Sequence, residues 1–208
     1  MKVYGLRAPL PFIKGLVRHL RPVWLLEELG APYELHYLDL EKGEEESAQY
    51  LALNPFGKVP ALEDGALRMF ESGAICTYIA DKHGKLIPKH GTPERARHDQ
   101  WMFAAVTMVE AYTVRVFVAD FFYKGEPEAP VLREAALESL VDSLKAVEGH
   151  LEKNAYLMGA DFSVCDILMT HSLGPIAHTD ILAKYPKITG YVNRNRERPA
   201  FLKAVAQQ

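Results

Sequence analysis

Apolar and polar positions alternate with two different periods in the two parts of this chain. Residues 2–6 (KVYGL) form a short β-favouring run. Residues 33–40 (YELHYLDL) place Tyr33, Leu35, Tyr37 and Asp39 on one face against Glu34, His36, Leu38 and Leu40 on the other, so both runs predict strands. Between them, Pro22 followed by VWLLEELG puts Val23, Leu26 and Glu27 at helical spacing, with Gly30 as the stop. The tract 44–53 (EEESAQYLAL) has helical propensity and ends at Asn54-Pro55, because the residue before a proline is pushed out of the α region. A turn over 54–57 leads to a strand from Lys58 to Leu62, a hairpin turn at Glu63-Asp64-Gly65, and a returning strand from Ala66 to Phe70. Ser72 opens a helix, SGAICTYIADKHG, with Ile75, Tyr78 and Ile79 on one face. The predicted order is β-α-β-α-β-β-α.

Residues 83–92 (HGKLIPKHGT) break the periodicity and read as a linker, and the pattern beyond them is helical. Thr92-Pro93 caps a long helix in which Met102, Ala105, Val106, Val109 and Tyr112 follow helical spacing. Lys124 to Pro130 interrupts it, and 131–152 form a second amphipathic helix. A third starts at FSVCDI, where Ser163 caps and Asp166 reaches back to the cap N–H. Tyr185-Pro186 opens a last helix to about Glu197, and Arg198-Pro199 ends it before a short terminal turn. The expected domains are residues 1–82 and an all-helical 93–208, joined by 83–92.

Composition narrows the function classes. With 208 residues, 49% apolar and 25% charged, the chain is of ordinary globular type. Its 24 basic and 27 acidic residues give a net charge of −3, which points to neither a nucleic-acid partner nor a polybasic membrane anchor. Cys76 and Cys165 are too few for a disulfide framework or a four-ligand zinc site, so no metal is expected and a reducing compartment is. No uninterrupted apolar run reaches the roughly 18 residues that span a bilayer, and the start MKVYGLRAP lacks a signal layout, so the expected location is cytoplasmic.

Three constellations carry candidate chemistry, each beside a plain structural reading. Val59-Pro60 enters a strand, where a cis bond would turn neighbouring N–H and C=O groups toward an extended peptide, while an ordinary trans turn is the simpler alternative. Glu71-Ser72 follows a strand: the helix start attracts an anion and the carboxylate a cation, a pairing suited to an α-amino acid, or else Ser72 is only a cap. The basic stretch Lys14 to Arg21, with Arg18 and His19, lies beyond the carboxyl end of the first strand, where α/β ligands bind, or is a solvated loop.

The run NPFGKVPALEDGALRMFESGAICTYIADKHG, which contains the first two, closely resembles the glutathione-binding region of the glutathione S-transferase family, particularly its bacterial and plant-like (phi-like) members. LLEELGAPYEL, YLMGADFSVCDI and YPKITGYVNRNRERPAF extend the resemblance nearly end to end. It implies an α/β thioredoxin-like N-terminal domain, an all-α C-terminal helical bundle, a homodimer, and detoxification chemistry in which the glutathione thiol attacks a small hydrophobic electrophile. By the same resemblance, Glu71 and Ser72 would hold the γ-glutamyl end, Val59 would pair with the cysteinyl part across cis-Pro60, and Lys58 would sit beside the tripeptide. Met102, Phe103, Val106, Tyr112 and Arg115, with Phe117, are the candidates for the electrophile site; the same stripe also reads as core.

This chain departs from the family pattern at two points. Relatives place a serine, cysteine or tyrosine after the first strand to lower the thiol's pKa, whereas no Ser, Thr, Cys or Tyr lies between Leu6 and Trp24, and the loop is longer than usual. The donor position falls near Pro9 by one alignment and near Leu16 or Val17 by another. Arg18 and His19, as cations, and Tyr4, as the nearest hydroxyl, are the candidate activators. Where relatives meet the glycine carboxylate with basic groups, this chain has Glu45-Glu46, leaving Lys42 as the candidate. The missing hydroxyl keeps open a non-catalytic or weakly catalytic glutathione-binding protein, and a glutathione-dependent isomerase or dehalogenase, beside the transferase.

Overall fold

The computed structural model describes residues 1–8 and 10–208. They divide into two units, Met1–Ile87 with Arg198–Gln208, and Pro88–Glu197.

In the first unit, β1 (Lys2–Gly5) and β2 (Glu34–Tyr37) run parallel, joined through α1 (Leu20–Leu29). β3 (Ala61–Asp64) lies antiparallel to β1, and β4 (Leu67–Phe70) antiparallel to β3, in the order β2-β1-β3-β4. Val3, Ala61 and Leu62 are fully buried, α1 packs with α3 (Ser72–His83), and Leu25, Leu26, Ile75 and Ile79 of these two helices are fully buried. α1 begins at Leu20, two residues ahead of Pro22; a proline is tolerated there because first-turn N–H groups have no intrahelical acceptor. Gly30 ends the helix at φ 61°, in the left-handed region that glycine adopts without steric cost.

Two predicted elements are shorter or displaced. The helix expected over 44–53 is the single turn α2 (Ala48–Leu51), and the acidic run before it forms two 3-10 turns hinged at Gly43. Its own carboxylates compete for the backbone: Asp39 accepts from the N–H groups of Glu41 and Lys42, and Glu44 from that of Asp39. β3 starts at Ala61 rather than Lys58, because the Lys58 carbonyl is held in a turn by Tyr50 Oη at 2.7 Å and Asn54 Nδ2 at 2.6 Å. Glu63 and Asp64 belong to the strand, and Asp64 faces Leu67 across a two-residue turn at Gly65-Ala66.

Residues 199–206, expected as a short turn of the helical domain, form α9 (Pro199–Ala206) and pack on α1 in the first unit. Phe201 meets Trp24 edge to face with centroids 4.9 Å apart, and Arg198 grips the Glu28 carboxylate through Nε at 2.6 Å and Nη2 at 2.8 Å. The first unit runs to Ile87 and resumes at Arg198, where the expected boundaries were 82 and 93.

The second unit is helical. α4 (Pro93–Ala104), a π-helical stretch over Ala105–Glu110 and α5 (Ala111–Phe121) make one 29-residue helix, capped by the Thr92 hydroxyl. Among the described residues it is the one helix long and apolar enough to cross a membrane, although no uninterrupted apolar run marks it in the sequence. Within the unit it buries Met102, Ala105, Val109 and Val116, and packs along α6 (Ala129–Leu151) and α7 (Val164–Leu173). α7 is buried throughout, and its predicted capping box forms. The Asp166 carboxylate also accepts from Leu157 N and, on α8 (Pro186–Arg196), from Tyr191 Oη, both at 2.9 Å. Cys76 and Cys165 are free and buried.

Candidate functional site

Strand register gathers the three constellations at one end of the sheet. Tyr4 pairs with Ala61 and Ala61 with Phe70, so the residues just outside these pairs are neighbours on adjacent strands. They are Gly5 and the long loop after β1, the Val59-Pro60 bond before β3, and Glu71-Ser72 after β4.

The Val59-Pro60 peptide is cis. Among the described residues, neither the N–H nor the C=O of Val59 has a backbone partner. With Lys58 O already taken by Tyr50 and Asn54, Val59 is the position left to pair with an extended peptide. The Lys58 side chain is exposed.

Glu71 precedes α3 with φ 71° and ψ 113°, a backbone region costly for any residue with a Cβ. Its side chain is exposed, whereas Ser72 is 3% exposed. The first-turn N–H groups of Ser72, Gly73 and Ala74 have no intrahelical acceptor, so this end of α3 favours an anion beside a carboxylate. Ser72 Oγ takes a 2.9 Å hydrogen bond from Nη1 of Arg21, a guanidinium 1% exposed inside α1. The sequence shows Arg21 only as a charge amid the apolar LRPVWLL; nothing local links it to a residue 51 positions away.

The three candidate activators are placed very differently. Tyr4 is packed among Leu38, Tyr50 and Ala61, and its hydroxyl donates to Glu63 at 2.7 Å. Burial, followed by that carboxylate, raises its pKa, so Tyr4 is a committed and weakened proton donor. His19 is 1% exposed, and burial pushes its pKa down to about 4. The cationic role expected of His19 is therefore not met near neutral pH. Arg18, one residue before, is exposed. Arg7 stacks over the Tyr37 ring at 4.5 Å. Pro9, one of the aligned donor positions, lies outside the described residues. Gln208 holds this loop, its Oε1 accepting from Gly15 N at 2.7 Å, while the Gln207 carbonyl accepts from Tyr37 Oη at the end of β2.

Lys42 is exposed and its ammonium lies 2.7 Å from the Asp39 carboxylate, which raises the Lys42 pKa. In the helical unit, Met102 is buried in the core, which removes it from any surface site, whereas Phe103 is 68% exposed. Val106 and Tyr112 are half-buried, and exposed Arg115 stacks over the Tyr112 ring at 5.7 Å. Among the described residues no group of three or more His, Cys, Asp or Glu side chains is placed to hold a metal ion.

Residues 13–81 match the family described as glutathione S-transferase, N-terminal domain, and residues 105–199 its C-terminal domain. A probable glutathione S-transferase GSTF2 of Oryza sativa subsp. japonica is 34% identical over 194 residues, covering 89% of this chain and 90% of its own. A glutathione transferase from Methylococcus capsulatus str. Bath superposes with a TM-score of 0.81 at 32% identity, covering 99% of this chain and 97% of that one. A glutathione S-transferase-I structure with bound lactoylglutathione superposes at 0.84 with 29% identity, covering 100% of this chain and 99% of that one.

Proposed function

We infer that this chain, which belongs to the glutathione S-transferase family, binds glutathione across the end of its sheet and joins glutathione through its thiol sulfur to a hydrophobic electrophile. The observation that carries the reading is the Ala61–Phe70 register, which brings the Val59-Pro60 bond and Glu71-Ser72 to the same end of the sheet. Glu71 meets the γ-glutamyl ammonium, and Ser72 with the first N–H groups of α3 meets its carboxylate. The Val59 N–H and C=O pair with the cysteinyl backbone, which directs the thiol toward the loop after β1.

A thiol of pKa about 8.5 is mostly protonated at pH 7, so the transferase must favour the thiolate. Of the three candidates, Arg18 is the exposed cation, whereas Tyr4 donates to Glu63 and burial keeps His19 neutral near pH 7. In the reaction the thiolate sulfur forms a bond to the electrophilic carbon, and a leaving group such as chloride departs with its bonding electrons. Phe103, Val106, Tyr112 and Arg115 are proposed to contact the electrophile, and Lys42 and Lys58 the outer parts of the tripeptide. Pairing of two copies, cytoplasmic residence and a detoxifying role belong to the same proposal and rest on the family resemblance.

Calorimetric titration with glutathione, followed by conjugation of a chlorinated nitroaromatic, tests the reading. Binding and conjugation are expected. No heat at millimolar glutathione would overturn it, and binding without conjugation of any tested acceptor would favour the non-catalytic alternative raised by the missing hydroxyl.

A further inference from the structure

Arg21 and Ser72 come from different helices and meet where both are almost completely buried, Nη1 to Oγ at 2.9 Å. A guanidinium carries donors only and does not lose its proton in proteins, so the direction of this hydrogen bond is fixed: Arg21 donates and Ser72 accepts. A serine hydroxyl has one hydrogen. With its oxygen accepting from Arg21, that hydrogen points elsewhere, and Ser72 faces a ligand as a donor.

Helix electrostatics give an independent reason to look beyond stability. Arg21 lies against the first turn of α3, the end carrying the positive half of the helix dipole, where a cation opposes the helix and an anion is favoured. Cys76, one turn further along α3, feels the same charge. A carboxylate arriving at this end of α3 meets both the helix dipole and the Arg21 charge.

We propose that Arg21 is a positioning residue for glutathione, acting through Ser72: it locks the serine hydroxyl as a donor aimed at the γ-glutamyl carboxylate. The proposal rests on the reading of Ser72 given above and adds a residue that does not touch the ligand itself.

A double-mutant cycle on glutathione affinity tests it, using Arg21→Met, Ser72→Ala and the double variant, each checked for a cooperative thermal transition. Arg21→Met is expected to raise Kd about ten- to a hundredfold when Ser72 is present, the range for a hydrogen bond to a charged group. In the Ser72→Ala background the same change is expected to alter Kd less than about threefold, because its route to the ligand is gone. Equal losses in both backgrounds would overturn the proposal and make Arg21 a structural or long-range electrostatic residue. Should Arg21→Met not fold, Arg21→Gln carries the same comparison, because a side-chain amide can accept as well as donate and no longer fixes the direction of the hydrogen bond. As a ligand-side readout, a glutathione analogue lacking the γ-glutamyl α-carboxylate, with hydrogen in its place and so no acceptor for the Ser72 hydroxyl, should bind wild type and the Arg21 variant within about twofold of each other. A larger gap would count against the proposal. If wild-type protein binds no glutathione, the functional reading itself fails, which is distinct from a cycle that shows no coupling.

Discussion

The imidazole of His19 fills the space that a side chain at Gly5 would need: a Cβ built on Gly5 would lie 2.6 Å from Cδ2 of His19 and 2.7 Å from Cγ. Gly5 closes β1 and His19 immediately precedes α1, so this contact sets how the first strand hands over to the first helix. Because the obstructing atoms belong to a buried ring, they have little room to yield. Gly5→Ala is expected to destabilise the protein by about 1–3 kcal/mol, the usual cost of overpacking. Urea unfolding measures it; an unchanged midpoint would mean that the ring can move aside.

His19 also makes stability depend on pH. Its folded pKa is about 4 and its ordinary value 6.5, with burial as the cause. Above pH 6.5 neither the folded nor the unfolded form is charged, and the full stability is present. As pH falls below 6.5 the unfolded chain takes up a proton that the folded chain refuses, so stability declines until about pH 4, by about 3 kcal/mol in total. Between pH 7 and pH 5, wild type should lose about 2 kcal/mol more than His19→Asn in urea titrations. Parallel pH profiles for the two proteins would contradict the neutral, buried assignment.

Glu71 combines a costly backbone conformation with a proposed binding role. Replacing it with glycine removes the strain, so Glu71→Gly is expected to stabilise the fold by about 1 kcal/mol. The same variant loses the carboxylate proposed for the γ-glutamyl ammonium and should bind glutathione at least about tenfold more weakly. Thermal unfolding and calorimetry on one preparation check both halves. A variant that is less stable than wild type would show that the conformation costs nothing, and unaltered affinity would move the ammonium elsewhere.

If Arg18 favours the thiolate, Arg18→Ala should shift the inflection of the kcat/KM pH profile upward, toward about 8.5. The loss would be largest at low pH, where the wild-type thiolate fraction depends most on the cation; about tenfold at pH 6.5 is expected. An inflection that stays in place would assign thiolate stabilisation to a backbone N–H of the loop instead.

The sequence carried local information well and tertiary information poorly. Hydrophobic period, the Ser163–Asp166 capping box and the turn residues located most elements, because each is decided within one or two turns of chain. The end of the sheet was legible as two motifs, KVP and ES, but their adjacency depends on the Ala61–Phe70 register. The misplaced start of β3 has a similar origin: Lys58 is β-favourable by neighbourhood, yet Tyr50 and Asn54 claim its carbonyl. Arg21 appeared in the sequence only as the end of a basic stretch, and its contact with Ser72, 51 residues away, reveals what that buried charge touches. His19 was read as a cation from its basic neighbours, whereas the ring's burial against Gly5 decides its charge. The terminal octet was too short to count as a helix by propensity; packing of Phe201 on Trp24 supplies what propensity does not.

The N-terminal unit is discontinuous, since α9 and Gln208, which holds the long loop, come from residues 198–208. On a ribosome adding about 5–20 residues per second, the sheet and α1 emerge well before residues 198–208, with roughly ten seconds of synthesis between them. Through that interval the Trp24 face of α1 and the loop over 10–18 wait without their final partners. The helical unit, encoded in one uninterrupted stretch, is complete first. Order of translation is therefore the reverse of order of completion, and the half of the protein that holds the proposed glutathione site is the last to be finished.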